Sequence, residues 1–183
     1  MRCLLVSVAI GRERPDRAAL DELSALALSA GFHVVERIQA RRDRADAGLF
    51  LGAGKAEEVG ARLTAAGAAL AIFDKELSPV QQRNLSRLWN VPVLDRTELI
   101  LDIFGKRARS HEGKLQVELA RLEHLSARLV KGWTHLERQR GGIGVRGGPG
   151  ETQLELDRRM LGVRVRRLRE QLEHLRQQRR TRK

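Results

Sequence analysis

A seven-residue leucine repeat runs twice through the second half of the chain, and it leaves few folds open. Leu115, Leu122, Leu129 and Leu136 recur at every seventh position, with Leu119, Ser126 and Trp133 in the complementary seam. Leu154, Leu161, Leu168 and Leu175 form a second run; Val165 and Leu172 fill its other seam, and Arg158 and Arg179 interrupt that seam near its ends. Repeats of this kind make helices whose apolar stripe needs a partner helix. Two of them joined by a short connection predict a long antiparallel hairpin. An arm of about 24 residues is a rod of roughly 36 Å at 1.5 Å per residue. The leucines hold the rod together and carry no chemistry.

The connection is the informative part. It reads Gly141-Gly142-Ile143-Gly144-Val145-Arg146-Gly147-Gly148-Pro149-Gly150-Glu151-Thr152, with six glycines among residues 141–150. A plain helix turn needs only a few residues, and this much glycine costs ordering entropy without building a core. It suits a backbone that approaches something closely, the alternative being a flexible linker. Arg138, Arg140 and Arg146 place guanidinium donors beside it, and such donors recognise phosphate and base edges. Thr152 is positioned to cap the following helix, with Glu155 completing a capping box.

Charge divides the chain in the same place. Residues 1–105 hold 14 basic and 14 acidic side chains, whereas residues 106–183 hold 21 and 9, so the net charge of +12 lies wholly in the second part. A neutral folded part joined to a polyanion-binding part is the natural reading, with nucleic acid favoured over an anionic membrane because the cations are mostly arginine. Aromatic residues are only 3% and there is no Tyr, which argues against modules that stack bases on Phe and Tyr. The single cysteine excludes an internal disulfide and a four-cysteine zinc site, and points to a reducing, cytoplasmic setting. No apolar run approaches the roughly 18 residues of a membrane span. Met1–Ile10 mimics a short signal peptide, but reads better as a buried first strand.

Residues 1–105 alternate strand and helix, predicting an α/β domain with a small parallel sheet flanked by helices. Strands are expected at 4–10, 32–38, 49–51, 69–73 and 91–94. Helices are expected from Pro15-Asp16 to Gly31, from 52–54 to about Ala66, from Ser78-Pro79 to about Trp89, and from Asp95 to about Phe104. Ser78 as N-cap with Pro79 at the first helical position is a strong start signal. The second part, 106–183, is the basic hairpin.

Motifs for catalysis are weak. Gly52-Ala53-Gly54-Lys55 lies at an expected helix start, where free amides and a Lys can hold phosphate. It is not a P-loop: the spacing fails, and Ala56 stands where a metal-binding hydroxyl belongs. A tight packing turn is the preferred reading, with phosphate binding through Gly52, Gly54 and Lys55 as the alternative. His33, His111, His124, His135 and His174 show no ligand pattern, and no metal site is expected. Arg41-Arg42-Asp43-Arg44 reads as a solvated loop. Asp74, Glu76 and Asp95 fall at expected strand ends, where open sheets often bind ligands, though a cap or loop role is favoured.

Several stretches resemble one family. They are Phe73-Asp74-Lys75-Glu76-Leu77-Ser78-Pro79-Val80-Gln81-Gln82-Arg83-Asn84-Leu85, Val93-Leu94-Asp95-Arg96-Thr97-Glu98-Leu99-Ile100-Leu101-Asp102-Ile103-Phe104, Lys114-Leu115-Gln116-Val117-Glu118-Leu119-Ala120, and the glycine segment running into Glu151-Thr152-Gln153-Leu154-Glu155. From about Leu49 onward the chain resembles the N-terminal region of HflX-family ribosome-associated GTPases. The resemblance implies binding to ribosomal RNA of the large ribosomal subunit near the peptidyl transferase centre, through Gly141 to Thr152 and the basic hairpin around it, and a part in splitting or rescuing stalled ribosomes. Gly147 and Gly148 stand where the family pattern has one glycine. No P-loop and no N-K-x-D occurs, so this chain is expected not to hydrolyse GTP. GTP and Mg2+ would belong to a GTPase domain on a separate or longer chain, and no cofactor is expected here. A monomer is expected. The rival readings are a nucleotide-binding domain built on Gly52–Lys55 and a coiled-coil dimerisation protein.

Overall fold

The computed structural model describes the backbone of residues 1–139 and 153–181, and side chains within those limits up to 128 and from 156. Two compact units are present, Met1–Lys106 and Arg107–Lys183. Unit 1 runs β1 (Arg2–Ile10), α1 (Arg17–Ser29), β2 (His33–Arg42), α2 (Ala53–Ala65), β3 (Ala71–Phe73), α3 (Pro79–Trp89), β4 (Val93–Leu94) and α4 (Arg96–Arg107). The strands form one parallel sheet in the order β2-β1-β3-β4.

Strand β1 explains why its sequence is continuously apolar. Leu4, Val6 and Val8 pack into a core with Val59 and Leu63 of α2 and Leu85 and Trp89 of α3. Cys3 and Leu5 pack into a second core with Leu20, Leu23 and Ala27 of α1 and Leu99 and Ile103 of α4. A strand covered on both faces has no polar side to alternate with. Cys3 is fully buried, and desolvation pushes its thiol up to about 11, so it packs as a small apolar side chain.

Local signals set the helix starts. Ser78 caps α3 in a full capping box with Gln81. Asp95, wholly buried, accepts the Glu98 and Leu77 amides at 2.9 and 3.3 Å, while Glu98 accepts the Asp95 amide at 3.2 Å. This is a second reciprocal box. Asp95 is thus a capping residue, and its strand-end position is a consequence of that role. In α2, Gly60 leaves room for Trp89, whose ring a Cβ there would crowd at 2.9 Å. The Trp89 indole N–H donates to Ala56 O at 2.8 Å, and its ring stacks on Phe73 with centroids 6.1 Å apart.

The strand expected at 49–51 does not form. Those residues make a tight turn, joined only by an isolated antiparallel bridge between Asp46 and Phe50. The Asp46 carboxylate accepts the Gly48 and Leu49 amides at 2.9 and 2.6 Å, and the Asp46 carbonyl accepts from Gln81 of α3. Phe50, at φ +60°, sits edge-on against Phe73. The Leu-Phe-Leu run is apolar because it plugs the core, a demand that periodicity alone does not separate from strand pairing. Strand β2 is also longer than expected, reaching Arg42, because all nine residues of β1 pair along it.

Unit 2 consists of α5 (His111–Gln139) and α6 (Gln153–Thr181). On α6 the heptad positions Leu161, Val165, Leu168, Leu172 and Leu175 are buried or half-buried, as is Leu156 outside the repeat. Leu115, Leu119, Leu122 and Ser126 are half-buried on α5. Ion pairs link the helices at Glu112–Arg179 (2.8 Å), Glu118–Arg164 (2.6 Å) and Glu123–Arg169 (2.6 Å). The first and third run in opposite senses along the two helices, and the second steps out of that order. Among the described residues no helix is long and apolar enough to cross a membrane.

Candidate nucleic-acid interface

Helix α6 carries nine arginines and four acidic residues. At 100° per residue its apolar stripe, Leu161 to Leu175, faces one way. Arg158, Arg169, Arg176 and Arg180 fall within about 40° of a single line on one flank, with Arg159 and Arg166 beside them. Arg158 to Arg180 spans about 33 Å at 1.5 Å per residue. All six are exposed. The spacings between the aligned four, eleven, seven and four residues, were legible in the sequence, but the leucine repeat masks them.

The arginines do two jobs. Arg164, Arg169 and Arg179 are engaged by glutamates of α5. Arg158, Arg166, Arg167 and Arg180 have no ion pair among the described residues. An exposed guanidinium without a carboxylate partner is available to a phosphate, which it binds through two parallel N–H donors. Exposed pairs such as Arg169–Glu123 contribute only about 0–1 kcal/mol each, so a polyanion competes with them readily.

Of the sequence-predicted RNA-binding residues, Arg138 falls within α5, near its C-terminal end. Its side chain, and the whole of Arg140, Gly141, Gly142, Ile143, Gly144, Val145, Arg146, Gly147, Gly148, Pro149, Gly150, Glu151 and Thr152, lie outside the described residues.

The alternative phosphate site looks different. Gly52 is the N-cap of α2 at φ +78°, and no side chain caps the helix. The Lys55 ammonium is held by Glu58, one turn along its own helix, at 2.7 and 2.8 Å. At Gly52 a Cβ would overlap the Arg42 guanidinium, so the glycine serves the close approach of that side chain. No GTP-type phosphate loop is built here: neither the spacing nor the lysine's engagement matches one.

At the C-terminal ends of β1 and β3, the Asp74 carboxylate accepts the Ser7 hydroxyl at 2.6 Å and the Val8 amide at 3.1 Å. Burial raises the Asp74 pKa above the usual aspartate range, against those two hydrogen bonds. Lys75 pairs with Glu13 at 2.7 Å, and Arg96 with Glu22 at 2.5 Å. These contacts close the sheet edge on itself. Among the described residues, no three or more His, Cys, Asp or Glu side chains converge as metal ligands.

Comparison with known proteins agrees with the division of the chain. The family model described as GTP-binding GTPase N-terminal matches residues 17–105, and that described as GTP-binding GTPase Middle Region matches residues 107–183. The GTPase HflX of Escherichia coli (strain K12) is 54% identical, over 90% of this chain and 38% of that protein. The GTPase HflX of Lacrimispora saccharolytica is 45% identical, over 97% of this chain and 42% of that protein. The chain thus spans about two-fifths of the length of these relatives. Among solved structures, the SsGBP complex with GDP has a TM-score of 0.70 at 20% identity, covering 99% of this chain and 46% of that one. A GTP-binding protein from Sulfolobus solfataricus in complex with GDP has a TM-score of 0.66, also at 20% identity, covering 96% and 46%. These two share the fold. The family models and the HflX relatives together show that the chain belongs to the HflX family of GTPases, whose N-terminal and middle regions it matches.

Proposed function

We propose that this chain is the RNA-binding region of an HflX-type GTPase and engages the ribosomal RNA of the large ribosomal subunit. In this reading α5 and α6 are the arms of an antiparallel hairpin, and the glycine segment 141–150 is its tip. Arg158, Arg166 and Arg180, on one flank of α6, anchor on phosphates. The tip, with Arg138, Arg140 and Arg146 beside it, brings backbone amides against RNA without Cβ clashes. GTP hydrolysis belongs to a further domain, and through it the protein acts in splitting or rescuing stalled ribosomes in the cytoplasm. The observation that carries the reading is the charge division: residues 1–105 are neutral and residues 106–183 hold the entire excess, with Arg158, Arg166 and Arg180 exposed on one flank of α6 and without an ion pair among the described residues.

Co-sedimentation of the chain with isolated large subunits across a salt series tests it, beside a variant in which residues 141–150 are replaced by a short linker. Saturable binding that weakens steeply with salt, and is lost or reduced in the variant, is the expected result. Equal binding and equal salt release for both proteins would assign the attraction to charge alone and remove the tip from the reading.

A further inference from the structure

We propose that Arg12, Arg14, Arg41, Arg42 and Arg44 form a second phosphate-binding surface, on unit 1, that takes the sugar–phosphate backbone of an RNA. The surface is distinct from the α6 flank and does not depend on it.

The pairing of β1 with β2 assembles it. Ile10 lies opposite Arg42 at the ends of the two strands. The Gly11 amide donates to Arg42 O at 2.8 Å, and Arg41 Nη2 reaches Gly11 O at 3.4 Å. The two segments therefore leave the sheet side by side, one carrying Arg12 and Arg14, the other Arg41, Arg42 and Arg44. This is the C-terminal edge of a parallel sheet, where open α/β folds present their ligand sites.

Clustering of unpaired charge is what sets this corner apart: among the described residues Arg2, Arg17, Arg83 and Arg87 also have no ion pair, but they lie at the start of β1, on α1 and on α3. Arg37, Arg62, Arg96, Lys55 and Lys75 each meet a carboxylate. The five clustered arginines have no ion pair among the described residues. Of the acids on these two segments, Glu13 is taken up by Lys75 and the Ile10 amide, Asp16 accepts the Ala18 amide, and Asp46 accepts the Gly48 and Leu49 amides; Asp43 remains. Arg12, Arg14, Arg41 and Arg44 are exposed, whereas Arg42 is half-buried and laid against Gly52.

The lining selects among phosphate ligands. Arg41, Arg42, Asp43 and Arg44 enclose an open trough of about 550 Å3, with no aromatic ring to stack a base and no apolar slot to hold one. A free nucleotide would have its base unsupported. A polynucleotide backbone needs only a track of planar donors.

The test uses the full chain and a labelled oligouridylate, with affinity measured across a salt series. Arg41→Gln/Arg44→Gln is compared with Arg2→Gln/Arg87→Gln, which removes equal charge from an exposed residue at the start of β1 and one in the last turn of α3. The first pair should lower the log–log salt slope by about 1.4, and each single variant by about 0.7, the single-strand value per phosphate. The control pair should leave the slope unchanged. Equal slopes for the cluster variant and wild type, or an equal drop in the control, would overturn the proposal. ATP is the other phosphate source: a rise in melting temperature with ATP that the cluster variant loses would make the ligand a free nucleotide and overturn the backbone assignment. Because the α6 flank is the same in every variant, a negative result here leaves that reading standing.

Discussion

Unit 1 and unit 2 are both rich in leucine and arginine, yet they use them in opposite ways. In unit 1 twelve large side chains, Phe73 and Leu4 among them, are buried to less than 2% exposure, and carboxylates hold Arg37, Arg62 and Arg96. In unit 2 only Leu168, Leu172 and Arg128 fall below 9% among the described residues, while Met160 and Val163 stay more than half exposed. The difference is geometric. A sheet covered by helices on both faces encloses a core, whereas two helices share one stripe and leave most of their circumference in water. A region held by a single seam keeps its remaining faces for a partner, and α6 fills one of them with arginine.

If this contrast is right, core truncations should separate the two units first. Phe73→Ala should cost about 3–5 kcal/mol in urea unfolding followed by circular dichroism, because Phe50 and Trp89 cannot both collapse into the space. Leu172→Ala in unit 2 should cost about 2 kcal/mol, since solvent already reaches the seam. Equal costs would break the comparison. At the next level, Ser78→Ala removes one half of the α3 capping box and should cost about 1 kcal/mol. Glu123→Gln should cost about 0.5 kcal/mol, and the loss should vanish at high salt, because the pair with Arg169 is exposed.

The finest distinction is in pH. Burial raises the Asp74 pKa, so the folded chain keeps a proton that the unfolded chain has released. Stability contributed by this group is present below the unfolded pKa and falls as pH rises through the window up to the folded value. Asp74→Asn has no proton to lose and retains an acceptor for the Val8 amide. Its stability relative to wild type should therefore rise from acid to neutral pH in thermal melts. A constant difference across that range would show that Asp74 titrates alike in both states.

Much of unit 1 was legible in the residues. The box at Ser78–Gln81, the Asp95–Glu98 cap and the continuous apolar run of β1 act within a few positions of the chain, so sequence exposes them. The reading failed at Leu49–Leu51, where burial against Phe73 mimics strand patterning. For the candidate site, the sequence showed the concentration of arginine but not its sorting. Arg158 and Arg169 lie on the same flank of α6, yet among the described residues only Arg169 meets a glutamate of α5. Arg41-Arg42-Asp43-Arg44 reads as a bland loop until β1 sets Arg12 and Arg14 beside it.

By itself, then, the sequence determined what acts at short range: helix periods, caps, the division of charge at the boundary of the two parts, and the family they resemble. Tertiary structure decided which apolar runs pair and which merely plug a core, which arginines are held by carboxylates, and which distant segments share an edge. These depend on contacts between residues far apart in the chain. Periodicity describes one element at a time, and the free energy of a guanidinium depends on the element opposite it.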